Sequence, residues 1–511
     1  MLWGISTIEG RVKDLYDLIK DPENAILSVL KDKKDVVIGI SGFGSAGYPK
    51  LIPDVIAELA DKGKIAPKIT LLTGASAYQV DQVLGERGLI VRRYPYQFSP
   101  TMRRLINSGK VEFHDVHLGE WPQYVRSGFV SSIIGSIDLA IVEAVKVDSG
   151  GIVPSMSVGA IDAFVSEASK VIIEVNPDIP EELAGIHDIY MPGIPPNREP
   201  IPIRNVNDRI GENMLRIRRD KIAAIVESHG HDRGGDIGEP GPIERRIADN
   251  LLSFLQGEME AGRIPREMLP IESGVGVVQD AVMSAIAEAG ISGLKAWTEV
   301  AQDSFYRMVA EGEMEYISAT SLMLSPSGRE FFFDSIGEFR EVTVLRPQSV
   351  TNDWEVIRRL GVIAMNTAVE VDIYGFVNST HVMGTDIING IGGSGDFARA
   401  SYLSIFITPS TRKGGRISCI VPMVSHVDHV DHDVDVVVTE YGVCDLRGKS
   451  PRERALEIIE NCAHPDYRDG LLSYFEKAVR ETGGHMPTLY DLALSWHKTY
   501  REKGDMREAI S

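Results

Sequence analysis

The sequence is poor in cysteine, in positive charge and in long apolar runs. Its 511 residues include three cysteines, an odd number without a C-x-x-C spacing, so a disulfide framework and a C-x-x-C site are excluded. This cysteine usage leads us to expect a reducing, cytoplasmic environment. No stretch approaches the roughly 20 unbroken apolar residues that cross a bilayer, so a membrane is not an expected partner.

Positive charge is outnumbered in this chain. The 53 Lys and Arg residues face 73 Asp and Glu residues, which gives a formal net charge of −20. Such a surface repels a phosphate backbone, so nucleic acid is excluded as a main partner. An anionic metabolite then requires a local basic or helix N-terminal site. The first twenty residues lack a secretory apolar region and do not resemble a transit peptide, which also favours the cytoplasm.

The chain does contain an alternation of strand-like and helix-like runs along most of its length. Buried strands are predicted for DVVIGI (35–40), KITLLTG (68–74), IDLAIVEA (137–144) and KVIIEVN (170–176). Nearly continuous apolar runs of this length are typical of a parallel sheet that is covered on both faces. The predicted fold class is therefore α/β.

The chain is longer than one hydrophobic core usually serves, so we expect two domains. The loop HGHDRGGDIGEPGP (229–242) is dense in Gly, Asp and Pro and precedes an amphipathic helix, which marks a boundary. The two halves echo each other, because each has a Gly-rich turn followed by a helix and a strand. We expect two related open α/β domains with largely parallel sheets, residues 1–228 and 229–511, and a ligand site in a cleft between them.

Three Gly-rich segments are candidate binding loops. SGFGSAG (41–47) and SGVGVV (273–278) each lie between a strand-like run and a helix, where backbone amides can approach a phosphate. Neither matches a dinucleotide or triphosphate fingerprint, and a tight strand–helix turn is the alternative. GIGGSG (390–395) is followed by Arg412 and Lys413, which favours an anion-binding pocket over a mobile surface loop.

Acidic and histidine side chains supply further candidates. Glu299 follows the apolar run LKAW, and an acid after a buried strand can be a base, a metal ligand or a nucleophile. A helix cap or an ion-pair partner is the alternative for Glu299. The segment VSHVDHVDHDVD (424–435) interleaves histidines with aspartates, but its spacing matches no zinc pattern, and hydrogen bonds to the neighbouring acids explain it equally well.

Seven segments form a joint pattern, in order, between about residues 40 and 470: GFGSAGYPK, RRYPYQFSPTMRRLINSG, VDSGGIVPSMSVGA, GVGVVQDAV, WTEVAQDSF, RRLGVIAMNTAVEVDIYGFVNSTHVMGTDIINGIGGSGDFARA and TEYGVCDLRGKSPRERA. This pattern resembles the acetyl-CoA hydrolase/transferase family of class I CoA-transferases, and within it the succinyl-CoA:acetate CoA-transferase branch. Cys444 departs from the small residue that relatives often carry, and we do not expect it to be catalytic.

The resemblance implies roles for particular residues. It implies that Glu299 attacks an acyl-CoA thioester, while the Asn352 side-chain amide and the Gly393 backbone N–H form an oxyanion hole. It implies that Arg233 and Glu440 orient the free carboxylic acid. The implied coenzyme A contacts are Gly274, Val275, Gly276, Val277, Val278, Asn389, Gly393 and Lys413.

The expected function is a CoA-transferase that exchanges CoA between acetyl-CoA or succinyl-CoA and a short-chain carboxylate. The resemblance implies a ping-pong mechanism through a glutamyl-CoA thioester, with coenzyme A as substrate, no prosthetic group and no metal. An acetyl-CoA hydrolase with the same glutamate is the main alternative, because water can attack the same intermediates. A non-catalytic CoA-binding module and a metal-dependent hydrolase are more distant alternatives. A homodimer is expected by default for a soluble enzyme.

Overall fold

The structure is a computed structural model, and it describes residues 8–234 and 238–509. The strands are β1 (Asp35–Ile40), β2 (Lys68–Leu72), β3 (Ile90–Tyr94), β4 (Glu112–Phe113), β5 (Leu139–Asp148), β6 (Gly151–Pro154), β7 (Lys170–Val175), β8 (Ile222–Glu227), β9 (Ile271–Ser273), β10 (Leu294–Trp297), β11 (Val300–Ala301), β12 (Met314–Ala319), β13 (Ser321–Leu322), β14 (Thr343–Leu345), β15 (Ile363–Thr367), β16 (Glu370–Asp372), β17 (Val377–Asn378), β18 (His381–Val382), β19 (Asp386–Ile387), β20 (Leu403–Ile407), β21 (Thr411–Arg412), β22 (Ile417–Ser418), β23 (Ile420–Val421), β24 (Val436–Thr439) and β25 (Gly442–Asp445).

Helices alternate with these strands. They are α1 (Ile8–Arg11), α2 (Pro22–Leu30), α3 (Ile52–Asp61), α4 (Tyr78–Glu86), α5 (Pro100–Asn107), α6 (Trp121–Arg126), α7 (Phe129–Ile134), α8 (Ile161–Glu167), α9 (Pro242–Glu260), α10 (Val277–Glu288), α11 (Asp303–Ala310), α12 (Pro326–Asp334), α13 (Ile336–Phe339), α14 (Gln348–Thr351), α15 (Trp354–Leu360), α16 (Ser394–Ala400), α17 (Pro451–Cys462), α18 (Pro465–Glu481), α19 (Tyr490–Ala493) and α20 (Ser495–Lys503). Short 3-10 turns occur at Tyr16–Leu18, Glu181–Leu183, Arg219–Lys221, Asp431–Asp433 and Met506–Ala509.

Local sequence signals explain several of these helix boundaries. Proline occupies one of the first two positions of α2, α3, α5 and α9, where its missing N–H costs nothing. At α17 the Ser450 side chain accepts from the Glu453 N–H and the Glu453 side chain bonds back to the Ser450 backbone, which forms a capping box.

The chain divides into two compact units that do not follow the sequence continuously. Unit 1 is Met1–Asp236 with Lys295–Leu360, and unit 2 is Ile237–Leu294 with Gly361–Ser511. The segment that contains Glu299 and Asn352 therefore belongs to the same unit as the N-terminal part of the chain. The predicted domain division between residues 228 and 229 stays a prediction.

Unit 1 is built around a mostly parallel sheet. Its strand order is β4-β3-β2-β1-β5-β7-β8, and β6 pairs with β5 in the antiparallel sense. The carboxyl ends of β1 and β2 lie side by side, and the Ser45 N–H donates to the Ser76 carbonyl 3.3 Å away in the loops that follow them. The same unit contains the neighbouring strands β10, β12 and β14, with β12 and β14 parallel. Its four predicted strands are thus confirmed as β1, β2, β5 and β7.

Unit 2 contains a second set of neighbouring strands in the order β9-β15-β20-β24-β25. All of these pairings that involve β15 and β20 are parallel, and the last strand, β25, runs antiparallel to β24. β15, β20 and β24 are almost entirely buried, as their apolar sequences predict. The fold class is therefore α/β with largely parallel sheets in two domains, as predicted. Within the described residues, no helix combines the length and the apolar character that a membrane crossing requires.

Candidate functional site

Glu299 lies just after the carboxyl end of a buried parallel strand. β10 ends at Trp297, and Glu299 occupies the short link between β10 and β11. The Glu299 carbonyl accepts hydrogen bonds from the backbone N–H groups of Thr320 (3.0 Å) and Ser321 (3.1 Å). These bonds fix the backbone of the link, while the Glu299 side chain is only half-buried. The predicted strand-end position of this carboxylate is confirmed.

Asn352 is the clearest side-chain contact of Glu299. The Asn352 Nδ2 atom donates to Glu299 Oε1 at 2.6 Å, although 53 residues separate the two in sequence. Asn352 is fully buried, and its Oδ1 atom accepts from the Thr351 hydroxyl at 2.9 Å. That second bond orients the amide with its N–H group toward Glu299. The Trp297 indole N–H donates to the Thr351 carbonyl at 2.8 Å, which ties β10 to the end of α14.

A small apolar cluster in unit 1 includes Val300, the residue that follows Glu299. Val300 packs with three other buried residues that come from loops at the sheet edge: Phe43, Ala75 and Leu118. Tyr96 and Met323 cover this cluster. Burial, and then the negative charge of Glu299, raise the pKa of Tyr96 above its ordinary value, so the phenol stays neutral. The surroundings of Glu299 are therefore partly apolar, with a neutral phenol nearby.

The SGFGSAG turn uses most of its amides within the protein. The N–H groups of Phe43 and Ala46 donate to each other's carbonyls, at 3.0 and 3.1 Å. The N–H of Gly47 donates to Asp232 Oδ2 at 2.9 Å. Gly47 has φ +68°, and an added Cβ would lie 2.4 Å from the Ser157 hydroxyl. These contacts favour the alternative of a tight strand–helix turn over a phosphate loop.

Arg233 lies on the exposed side of the loop that follows β8. Its side chain is solvent-exposed, whereas the preceding residue, Asp232, is buried. The positive charge of Arg233 acts on Asp54 of α3, although burial outweighs it and raises the pKa of Asp54. Arg233 thus belongs to the same unit as Glu299 and Asn352. Its expected contact with a carboxylic acid stays a prediction.

The GVGVV segment forms the turn between β9 and α10 in unit 2. Gly276 has φ +148°, a backbone conformation that essentially only glycine adopts, and α10 begins at the next residue. Val275 is 42% exposed at the tip of this turn. The first-turn amides of an α-helix have no intrahelical acceptor, so Val277 and Val278 lie where a ligand acceptor can reach them. The predicted strand–turn–helix context is confirmed, and the predicted coenzyme A contacts are untested.

The GIGGSG loop is fixed by hydrogen bonds inside unit 2. Gly393 is buried, and its carbonyl accepts from the Phe397 N–H at 3.0 Å in the first turn of α16. The Asn389 Nδ2 atom donates to the carbonyls of Ser379 (3.3 Å) and Gly390 (2.8 Å). The apolar run that follows the loop forms α16 and then β20. Asn389 therefore shapes the backbone on the N-terminal side of the loop.

His429 is a residue whose position the sequence did not predict. It is buried, and its Nε2 atom lies 3.2 Å from the Ser394 hydroxyl and 3.1 Å from the Ser379 hydroxyl. His429 thereby links the end of the GIGGSG loop to the segment after β17. His426 Nε2 lies 3.3 Å from Asp428 Oδ1, and His432 Nδ1 lies 2.9 Å from Asp431 Oδ1, so contacts between these histidines and the neighbouring acids match the alternative to a metal site. No group of three metal-ligating side chains suited to a metal ion occurs within residues 8–234 and 238–509.

Glu440 and Lys413 lie in neighbouring parts of unit 2. Glu440 follows β24 and is 8% exposed, and both its carboxylate oxygens accept from Ser410, one from the N–H (2.8 Å) and one from the hydroxyl (2.6 Å). Ser410 precedes the β21–β22 hairpin, whose exposed tip contains Lys413 with φ +54°. The structure therefore brings Glu440 to the base of the hairpin that presents Lys413.

The predicted site residues fall into two sets. Glu299, Asn352 and Arg233 belong to unit 1, whereas the Gly274–Val278 turn and the remaining predicted residues belong to unit 2.

Comparison with known proteins gives a consistent assignment along the chain. The sequence profile of the acetyl-CoA hydrolase/transferase N-terminal domain matches residues 16–227, and that of the C-terminal domain matches residues 328–475. A succinyl-CoA:acetate CoA-transferase from Clostridium kluyveri is 47% identical over 92% of this chain and 87% of its own length. An acetyl-CoA hydrolase from Yarrowia lipolytica is 40% identical over 97% of this chain and 98% of its own.

A solved structure also shares the fold. The crystal structure of a 4-hydroxybutyrate CoA-transferase from Porphyromonas gingivalis superposes with a TM-score of 0.61 at 22% identity. The match covers 92% of this chain and 98% of that one. At this identity the likeness concerns the fold, and it agrees with the α/β architecture described above.

Proposed function

The chain belongs to the acetyl-CoA hydrolase/transferase family, and on that premise we propose that it exchanges coenzyme A between a short-chain acyl-CoA and a free carboxylate. The observation that carries this proposal is the 2.6 Å hydrogen bond from Asn352 Nδ2 to Glu299 Oε1. It pairs a strand-end carboxylate with a buried side-chain amide donor. A nucleophile and an oxyanion donor need this proximity in acyl transfer.

The proposed reaction begins with attack of a Glu299 carboxylate oxygen on the thioester carbonyl of the acyl-CoA. The C–S bond breaks, the electron pair leaves on sulfur, and a mixed anhydride and CoA thiolate result. The thiolate then attacks the glutamyl carbonyl, which releases the acyl group as a free carboxylate and leaves a Glu299–CoA thioester. A second carboxylate enters, and the same steps in reverse give the new acyl-CoA. The thioester is exchanged, so the scheme requires no prosthetic group and no metal.

Charge develops on the thioester oxygen during attack, and donors aimed at that position lower the barrier. We assign one such donor to Asn352 and the other to the backbone N–H of Gly393. The loss of one oxyanion donor costs about 3–4 kcal/mol in comparable enzymes. The apolar cluster around Val300 supports the role of Glu299 as the nucleophile, because a carboxylate that is less hydrated is a better nucleophile.

Binding of the two substrates is assigned to the remaining predicted residues. We propose that coenzyme A contacts the Gly274–Val278 turn, Asn389, Gly393 and Lys413, and that Arg233 and Glu440 orient the free acid. The exposed Val275 and Lys413 support this assignment, because both are available to a ligand. Holding CoA through both half-reactions keeps its thiolate at high effective molarity. The cytoplasmic location and the homodimer expected from the sequence stay predictions.

Hydrolysis of a short-chain acyl-CoA is the second candidate function. It is favoured by the similarity to the acetyl-CoA hydrolase of Yarrowia lipolytica over 97% of this chain. Both activities share the Glu299 intermediates and differ in whether water or a carboxylate attacks them. We favour transfer because a covalent carboxylate mechanism depends on the exclusion of water.

The test is to trap the covalent intermediate. Acetyl-CoA without an acceptor should load CoA onto Glu299, and borohydride should reduce that thioester to an alcohol and inactivate the enzyme. Mass spectrometry should locate the change in the tryptic peptide that contains Glu299. Glu299→Gln keeps the shape of the side chain but is a much weaker nucleophile, so its turnover should fall by at least roughly a thousandfold. The exposed Glu341→Gln in the same unit is the matched control.

Normal turnover by Glu299→Gln, or reduction at another residue, contradicts the covalent scheme. Acetate release from acetyl-CoA, measured with and without succinate, separates the two candidate functions. Strong dependence on succinate, with formation of succinyl-CoA, supports transfer. Equal release without succinate supports the hydrolase instead.

A further inference from the structure

Unit 1 contains a buried charge cluster that the proposed reaction does not use. The Lys50 ammonium lies between two carboxylates, 2.8 Å from Glu143 Oε1 and 2.7 Å from Asp232 Oδ1. It also donates to the Tyr48 carbonyl at 2.6 Å. The three charged side chains are at most 9% exposed. Lys50 comes from the segment after the SGFGSAG turn, and Asp232 comes from the loop of Arg233.

Neighbouring polar groups complete the cluster. The Asn176 Nδ2 atom donates to Glu143 Oε1 (2.9 Å) and to the Gly230 carbonyl (2.8 Å). The Ser155 hydroxyl donates to the other oxygen of Glu143. The second oxygen of Asp232 accepts the Gly47 N–H. Every carboxylate oxygen of Glu143 and Asp232 therefore has a donor.

Further contacts hold the backbone on either side of Arg233. The Gly230 N–H donates to Asp178 Oδ2 at 2.7 Å, and the Arg329 guanidinium donates to the Asp232 carbonyl at 3.1 Å. An added Cβ at Gly234 would lie 1.8 Å from the Leu324 carbonyl oxygen, so this backbone is packed tightly against another loop. Between these anchors the Arg233 side chain remains exposed.

Stability alone does not account for this arrangement. Removal of three charges from water costs several kcal/mol per ion, and apolar residues of similar volume are often at least as stable. Burial on its own would lower the pKa of Lys50, but Asp232 and Glu143 outweigh it and raise that pKa, so the ammonium stays charged. In some proteins buried ionic groups specify one local geometry at a cost in stability, and this cluster lies directly beside Arg233.

We propose that Asp232, held by Lys50 and Gly47, is a positioning residue that fixes the backbone from which Arg233 reaches the free carboxylic acid. This inference rests on the role of Arg233 in the proposed function. It makes the SGFGSAG turn and Lys50 part of the carboxylate specificity of the enzyme, although neither touches the acid. A guanidinium presented from a fixed backbone loses less conformational entropy when it binds a carboxylate.

The experiment is a double-mutant cycle with succinyl-CoA and acetate in steady-state ping-pong kinetics. Asp232→Asn keeps the size of the side chain but replaces one acceptor oxygen by an NH₂ group, which faces either Lys50 or the Gly47 N–H. It should raise the KM for acetate about tenfold or more and change the KM for succinyl-CoA less than about twofold. Arg233→Ala should give the same split. The double variant should resemble Arg233→Ala alone, because Asp232 acts through Arg233.

Asp138→Asn is the matched control for Asp232→Asn. Asp138 likewise binds one lysine, Lys33, and one backbone N–H, that of Val37 (2.9 Å), but it lies at the other end of β1. It should leave the ratio of the two KM values unchanged. Arg329→Gln releases the Asp232 carbonyl from outside the buried cluster, so it provides the test if Asp232→Asn does not fold. It should raise the KM for acetate in the same selective way, by a smaller factor.

The outcomes separate this inference from the proposed function. If Arg233→Ala leaves the KM for acetate unchanged, the proposed role of Arg233 is wrong. If Arg233→Ala raises that KM but Asp232→Asn adds an independent factor to it, the positioning role is wrong and the role of Arg233 stands. An equal effect of Asp232→Asn on both KM values also overturns the positioning role, because a general structural defect has no preference for one substrate.

Discussion

Single buried carboxylates in unit 1 differ in how their charge is offset. Glu174 accepts three backbone N–H groups, from Lys50, Leu51 and Ile52, at 2.6–3.0 Å. Asp162 of α8 is equally buried, but among the described residues no side chain donates a hydrogen bond to its carboxylate, and the nearby backbone N–H groups of Ala163 and Asp162 offset burial only in part. Burial raises the pKa of Asp162 to about 6. Its ionised form therefore destabilises the fold. Burial raises the pKa of Glu174 as well, although the three backbone N–H groups act against that rise.

Asp162→Asn should stabilise the protein in a pH-dependent way. A raised folded-state pKa means that ionisation of Asp162 costs stability, because the unfolded carboxyl ionises near pH 4 and the folded one only near pH 6. The variant should gain little below pH 4, progressively more between pH 4 and pH 6, and a constant amount above, on the order of 2–3 kcal/mol. Urea unfolding at several pH values measures the free energy of unfolding directly.

Asp35→Asn is the control for this substitution, because Asp35 is exposed at the first position of β1. It should change stability little and equally at each pH. A gain for Asp162→Asn that does not vary with pH would show that the amide improves packing and that ionisation is not the cause. A loss at pH 8 would show that the carboxylate has an unrecognised favourable partner.

The helix α10 begins within the predicted coenzyme A turn, so the geometry at its first residues also shapes that turn. Glycine lies at both ends, with Gly276 at φ +148° before the helix and Gly290 at φ +68° after it. An added Cβ at Gly276 would lie 3.0 Å from the Gln279 side-chain oxygen, whereas nothing lies within 4 Å at Gly290. Both glycines serve backbone geometry, but only Gly276 belongs to the predicted coenzyme A turn.

Gly276→Ala should weaken acyl-CoA binding more than it weakens the fold. Alanine is strained at either position, by roughly 1–3 kcal/mol at this kind of φ, and relaxation at residue 276 moves the turn between β9 and α10. The KM for acyl-CoA should rise about tenfold while the KM for acetate stays within about twofold. Gly290→Ala is the matched control, because it strains the other end of α10 and should leave both KM values unchanged. Equal effects of the two variants on the KM for acyl-CoA would contradict the assignment of this turn to the coenzyme A site.

Local patterns predicted elements well and long-range pairing poorly. The runs DVVIGI and KVIIEVN became β1 and β7 with the predicted bounds nearly intact, because β-branched apolar runs between turns leave few alternatives. No local sequence pattern predicts the inclusion of Lys295–Leu360 in unit 1. It depends on contacts between segments far apart in sequence, for which a single sequence carries no periodicity.

The same limit applies to the candidate site. The position of Glu299 after a strand could be predicted from LKAW. The family resemblance implied that Glu299 and Asn352 act in one site, but their hydrogen bond was not predicted. The contact between Lys50 and Asp232 joins residues 182 positions apart, and neither has a local signature of burial. The His429–Ser394 contact was not predicted for another reason, because a run of histidines and aspartates suggests metal binding as the first hypothesis to test. Spacing reveals which residues share an element, and only the fold reveals which elements meet.

For the molecule as a whole, the three buried thiols give a test of its native packing. Cys419, Cys444 and Cys462 are all fully buried in unit 2, and burial raises their pKa values, that of Cys444 to about 12. The native protein should therefore show no rapidly reactive thiol toward a disulfide reagent such as DTNB, and three thiols per chain in guanidinium chloride. Ser108→Cys, at an exposed position in unit 1, is the positive control and should react once per chain without denaturant. Rapid labelling of a native thiol in the unsubstituted protein, with loss of activity, would contradict both this burial and the expectation that Cys444 has no catalytic role.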